Sequence, residues 1–234
     1  LQKQALAAGV ELDTIDSRIR MLQELERDYE GFSKAVRLVM QDAAAGKLHG
    51  VHGPLSKLIH VEDQYTTAIE TALGAAMQNL VVSSEEDGKA AIQMLKRRDG
   101  GRATFLPLTA IRAQSLQDTT CQRQPGFISV ASGLVACEPQ YRAVVENALG
   151  RTVICDTLDH AVTMARACGN RVRIVTLDGQ VMNAGGSMTG GSATRSAGVL
   201  TRANTLQRLQ QERGALAEKL EDLRRQAADA ASSA

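Results

Sequence analysis

The sequence predicts an α/β body of two quasi-repeated subdomains on an intramolecular antiparallel coiled coil. Three observations predict it: both ends of the 234-residue chain run in heptads, a ten-residue motif recurs between them, and a β-branched run follows each copy. At the first end, Leu1, Ala5, Ala8, Leu12, Ile15, Ile19, Leu22, Glu26 and Tyr29 alternate spacings of four and three. Leu209, Arg213, Leu216, Leu220, Leu223, Ala227 and Ala230 do the same at the other end. Stripes this narrow cannot bury themselves in a globular core and need a partner helix. The simplest partner is the opposite end of the same chain. About 30 helical residues at about 1.5 Å each would make a rod of roughly 45 Å. Glu26 and Arg213 occupy core positions, so the arm is expected to be loose or offset near them. Leu1 opens inside a running heptad, which reads as a piece of a longer coil.

After Tyr29 the heptad stops, and a short apolar helix is expected from Ala35 to Ala45, ending at Gly46. Gly50-Val51-His52-Gly53-Pro54 then makes a turn-rich entry into the body. The repeat follows. Tyr65–Gly74 and Tyr141–Gly150 share the frame Y-x4-E-x-A-L-G at an offset of 76 residues. In both copies the apolar spacing is helical, and the glycine stands where a left-handed residue would end the helix. Strands are expected next, at Leu80–Val82 and Val153–Ile154, then helices at Glu85–Arg97 and Leu158–Ala167. Ala103–Leu106 continues the first half as a strand. Val172–Leu177 and Gln180–Met182 continue the second, around an Asp178-Gly179 pair that signals a type I′ hairpin. Thr119–Gln124 reads as linker. The resulting division is 1–31 and 200–234 for the coil helices, 32–46 for a transition segment, and 47–124 and 125–199 for subdomains I and II.

Composition narrows the function classes. A net charge of +1 provides no global field toward nucleic acid or membrane, so such binding must come from a local patch. No apolar run is long enough to cross a bilayer, and no signal peptide is visible. Cys121, Cys137, Cys155 and Cys168 are scattered without a C-x-x-C and read as reduced, small apolar residues. Six aromatic residues (Tyr29, Phe32, Tyr65, Phe105, Phe127 and Tyr141) are too dispersed for a base-stacking platform.

The densest glycine cluster is Gly185-Gly186-Ser187-Met188-Thr189-Gly190-Gly191. It lacks the lysine of a phosphate loop and the order of a dinucleotide fingerprint. Close backbone approach, at a tight bend or an interface, accounts for it better. His49, His52 and His60 sit near a turn without partners at metal-ligand spacing, and read as solvated. Glu85-Glu86-Asp87 stands where a helix begins and favours its dipole. Ser83, Ser84 and Ser187 have no His/Asp partners visible in sequence. Basic residues gather where coil meets body: Lys34, Arg37 and Lys47 on entry, Arg195, Arg202, Arg208 and Arg213 on exit. Lys96, Arg97, Arg98 and Arg102 form a further group. A salt-sensitive phosphate-binding patch would be sequence-independent, because groups that read bases are missing nearby.

Gly50–Leu55 with Leu58, Ile59 and Val61, followed by the Tyr65–Gly74 motif, resembles the start of the hinge domain of SMC (structural maintenance of chromosomes) proteins. Gly101–Leu108 resembles that domain's central signature; Ile174–Gly179 with Gly186–Gly191 resembles its closing one. The style looks bacterial. The resemblance implies a hinge that pairs with a second copy of itself and joins two arms. Its glycine signature, here Gly185, Gly186, Ser187, Met188, Thr189, Gly190 and Gly191, would lie at the dimer interface. DNA would be met at the hinge–coil junction, for which position suggests Lys34, Arg37, Lys47, Arg195 and Arg202. ATP, Mg, kleisin and accessory subunits would belong to distant heads. No Walker sequence occurs here, so no catalytic, cofactor or metal residue is assigned. The implied location is cytoplasmic, on the nucleoid, without membrane. The rival readings are a monomeric DNA-binding tip and a nucleotide-using α/β domain inserted in a coil.

Overall fold

A computed structural model describes residues 2–191 and 198–232, of which 2–31 and 202–232 form one unit, and 32–191 with 198–201 another. The first unit is the arm. Helix α1 (Gln2–Arg27) runs antiparallel to the part of α7 (Val199–Ser232) that follows Thr201. Their heptad positions turn inward: Ile15, Ile19, Leu22 and Leu209 form an apolar seam, with Leu25, Leu206 and Leu216 against it. Both charged residues at the heptad core positions have partners on the facing helix, and Arg213 is exposed rather than enclosed in the seam. Glu26 lies 3.8 Å from Arg202, and Arg213 lies 2.7 Å from Asp16, each pair linking the two helices. A charge in a coil seam is tolerated when the facing helix supplies its opposite, and the pair then fixes register.

In the body, Ser33 caps α2 (Lys34–Ala44), its hydroxyl accepting from the Val36 N–H. The first half then runs β1 (Val51–Pro54), β2 (Ile59–Val61), α3 (Thr66–Leu73), β3 (Leu80–Val82), α4 (Glu85–Arg97) and β4 (Phe105–Pro107). The second repeats the order with β5 (Phe127–Val130), β6 (Val135–Cys137), α5 (Arg142–Leu149), β7 (Thr152–Cys155), α6 (Leu158–Ala167) and β8 (Arg173–Thr176). It adds β9 (Val181–Met182) and β10 (Met188–Thr189). The repeat extends to pairing. β1–β3 and β5–β7 are antiparallel, β3–β4 and β7–β8 parallel. Both antiparallel pairs are irregular at matching sites, Val51/Gly53 and Phe127/Ser129.

Strands β2 and β6 join the halves. Ile59 faces Cys137, His60 faces Ala136 and Val61 faces Val135. The 76-residue offset carries Ile59 onto Val135 and Val61 onto Cys137, so exchanging the halves returns the same pairing. An internal quasi-twofold therefore passes through His60 and Ala136. The main core is shared: Leu55, Ile69 and Val81 of the first half pack with Val144, Leu149, Ile154 and Val175 of the second.

Each half also hands its tail to the other. The segment after β4 crosses to α5, where Asn147 donates to the Arg112 carbonyl at 2.7 Å. The start of α7, after the second half, crosses to α3, where a Glu70 carboxylate oxygen accepts the N–H groups of Leu200 and Thr201 at 2.9 and 3.1 Å. That carboxylate caps two of the unpaired donors at the helix start.

Several sequence expectations need correction. Gly74 ends its helix at φ +50, but its repeat partner Gly150 stays in the right-handed region at φ −68. The loop at Asp178-Gly179 is not a type I′ turn, which needs positive φ at both residues; Gly179 has it (φ +85) and Asp178 does not. The Gly179 N–H returns to the Thr176 carbonyl, and the Thr176 N–H to the Gln180 carbonyl, giving a three-residue loop closed by a left-handed glycine. Thr119–Arg123 is a 3-10 turn rather than a structureless linker, and buries Cys121 completely. Nor are all cysteines free: Cys121 and Cys168, with Cα atoms 6.1 Å apart, are joined in a disulfide.

A glycine-rich sheet edge and a basic surface

The second sheet runs in the order β10-β9-β8-β7-β5, which leaves β10 at an edge. Its turn is made by the glycines. Gly185 and Gly186 hold φ near +90, where a side chain is penalised, and the Asn183 N–H reaches the Ser187 carbonyl at 2.8 Å across the bend. Asn170, itself at φ +53, accepts the Gly185 N–H at 2.7 Å. Beyond β10, the Gln180 side-chain amide takes both backbone groups of Gly191, accepting its N–H at 2.9 Å and donating to its carbonyl at 3.2 Å. Gln180 thus stands in for a peptide group and holds Gly191 in line. Sequence reasoning missed Gln180; its place directly after the Asp178-Gly179 pair carried no sign of a contact 11 residues on.

The result is an exposed, uncharged edge. Met188 is 56% exposed, and Gly185–Gly191 contains neither a charge nor a proline. Proteins that keep an edge strand solitary usually blunt it with such residues. The glycines turn a hairpin rather than open a helix, so they do not present the row of free N–H groups that a helix start offers a phosphate.

The other residues singled out from sequence are dispersed. His49 and His60 are exposed, and no group of three metal-binding side chains occurs among the described residues. His52 is not solvated as expected. Its ring nitrogens lie 2.9 Å from the Tyr141 hydroxyl and 2.9 Å from Ser83 Oγ, tying the halves together. The ring nitrogen away from Ser83 meets the Tyr141 hydroxyl, where a nucleophilic triad would have its orienting carboxylate. Glu85, Glu86 and Asp87 form the first turn of α4, Asp87 completing a capping box with Ser84.

Among the basic candidates, Lys34 is exposed and its Nζ donates to the Asp99 carbonyl at 3.2 Å, which sets it beside the Lys96–Arg98 end of α4. Arg37, one turn on, is half-buried. Lys47 and Arg98 share Asp42, at 4.0 and 3.1 Å. Arg202 is engaged inside the arm by Glu26 and the Glu30 carbonyl. Arg195 lies outside the described residues.

The family model for the SMC proteins flexible hinge domain matches residues 48–165, half of the chain. The chain belongs to the SMC hinge family. Curated relatives of this hinge include the chromosome partition protein Smc of Bacillus subtilis (strain 168), 44% identical over 182 residues, which are 76% of the chain. That of Lactiplantibacillus plantarum is 42% identical over 192 residues, or 81% of the chain. The hinge spans only 15% and 16% of those proteins. Among solved structures, an asymmetric dimer of the Geobacillus stearothermophilus SMC hinge domain has a TM-score of 0.88 and 38% identity, covering 97% of this chain and 92% of that one. The Pyrococcus furiosus SMC hinge domain follows at TM-score 0.58 and 29% identity, covering 78% and 92%. No helix among the described residues is long and apolar enough to cross a membrane.

Proposed function

We propose that this chain is the dimerisation hinge of a bacterial chromosome-partition SMC protein, and that two copies join through the Gly185–Gly191 edge. The observation that carries the reading is an edge strand with no further strand beside it among the described residues: β10 offers uncharged backbone and an exposed Met188, braced by Gln180 and Asn183. An edge of this kind pairs by main-chain hydrogen bonds, which need complementary shape more than particular side chains. One half's edge meets the other half of the second copy, so a twofold makes the contact twice. The role is mechanical, joining two arms whose far ends carry the ATP- and Mg-dependent heads and their kleisin and accessory partners, on the nucleoid in the cytoplasm.

Light scattering over a concentration series tests it. The reading expects about twice the 25.0 kDa chain mass. Met188→Glu with Thr189→Glu, both on exposed positions, is expected to give a folded monomer. The Gly190→Glu, Gly191→Glu pair is a second probe, though Gly191 at φ +137 adds backbone strain. A dimer that survives both, or a wild-type chain monomeric at tens of micromolar, overturns the assignment.

Auxiliary DNA binding is assigned to Lys34 and Arg37 with the adjoining end of α4. Phosphate contact predicts affinity that falls steeply with salt and ignores sequence. Lys34→Glu with Arg37→Glu should weaken binding of unrelated duplexes by one common factor in fluorescence anisotropy. Unchanged binding would remove DNA from the function of this surface.

A further inference from the structure

The connector between the two halves has an unusual attachment. Across residues 109–124, Cys121 alone is buried, with exposed or half-buried residues on either side. Its sulfur is bonded to Cys168, the C-cap of α6, 47 residues away. Near it Leu116 packs, partly buried, against the same apolar cluster, and Asp118 meets Arg171 at 2.9 Å, but Arg171 is 75% exposed. Exposed ion pairs hold little against water and salt. Beside that limited packing, one covalent bond ties the Thr119–Arg123 turn to the second subdomain. The same connector, through Gln114, Ser115, Leu116 and Gln122, walls a cavity of about 470 Å³ that reaches Glu146 and Gly150.

We propose that Cys121 and Cys168 form a reversible redox staple, closed by a small-molecule disulfide and opened by a dithiol, which fixes or frees the 117–124 segment. A Cys121 thiolate attacks a disulfide of the glutathione class and releases one small thiol. The Cys168 thiolate then attacks the Cys121 sulfur and releases the second. Two protein thiols lose two protons and two electrons, and one small disulfide becomes two thiols. Cys121 is the entry point, because lifting its exposed turn brings it to solvent while Cys168 stays capped on α6. Cys155 shares the same apolar cluster but does not compete. It is fully buried at the end of the interior strand β7, and burial, with Asp156 close by, pushes its pKa up to about 12.

The chain is equilibrated with oxidised glutathione or with dithiothreitol, denatured in iodoacetamide and weighed. Two alkylated cysteines after oxidation and four after reduction are expected, with peptide mapping placing the bond at Cys121–Cys168. Limited trypsinolysis after Arg123 then reads the segment itself. Cleavage should be about 10-fold faster in the reduced chain, because it follows the population of the open form. Cys121→Ser should cleave at the reduced rate under both conditions. Four alkylated thiols after oxidation, a different pair in the map, or equal cleavage rates of the oxidised and reduced wild-type chain would each overturn the proposal.

Discussion

At the residue scale, the repeated motif shows one letter serving two physical ends. Gly74 is needed for its backbone: φ is +50 and no atom lies within 4 Å of where a Cβ would stand. Gly150 is needed for its emptiness: a Cβ would overlap the Gln114 carbonyl oxygen of the crossing connector. Gly74→Ala should cost about 1 kcal/mol. Gly150→Ala should cost about 3 kcal/mol, since a backbone must move. Urea midpoints of the two variants check the order, and equal losses would refute the close approach. The shared glutamates diverge likewise, Glu70 capping α7 while Glu146 pairs with Arg142 at 2.9 Å. Cys155 gives a pH dependence. Its folded pKa, about 12, exceeds its ordinary value of 9.0, so the folded state holds the proton more tightly. Its favourable contribution is complete below pH 9.0 and declines as pH rises from there toward about 12. Thermal melts from pH 7 to 10.5 should fall less steeply above about pH 9 in Cys155→Ala than in wild type.

At the element scale, the arm's register rests on a seam with charge in it. Leu and Ile knobs alone permit sliding by a heptad; opposite charges at fixed heights do not. The Asp16–Arg213 pair is partly exposed, so Asp16→Arg should cost only about 0.5–1 kcal/mol. The exchange Asp16→Arg with Arg213→Asp should recover most of it, seen as a double-mutant coupling in melting experiments. Arg202 and Glu26 are 12% and 18% exposed at their side chains, so Arg202→Ala leaves a charge in the seam and should cost more, about 2–3 kcal/mol. If Asp16→Arg proves the costlier variant, burial is not what sets these energies.

At the scale of the whole molecule, the two halves cannot be independent. Leu55, Ile69 and Val81 are buried against Val144, Ile154 and Val175, β2 pairs with β6, and each half's tail crosses to the other. The body should therefore unfold in one calorimetric transition, with calorimetric and van't Hoff enthalpies equal. Two resolved transitions would show that the quasi-twofold joins two separable domains. The same arrangement leaves β10 at a sheet edge, away from the shared core.

The sequence by itself determined whatever depends on periodicity and local backbone chemistry. The heptad seams, helices α4 and α6 to the residue, the repeat, and the glycines of the β10 hairpin were all legible, because each is written in the order and spacing of residues along the chain. Only the tertiary structure decided the rest. The Asp16 and Glu26 partners, the Gln180 grip on Gly191, the His52 bridge, the crossing tails and the Cys121–Cys168 bond join residues 11 to 197 positions apart. No local spacing records such a meeting. It follows from how two similar halves close on one core, and that closure is a property of the packed chain rather than of any segment in it.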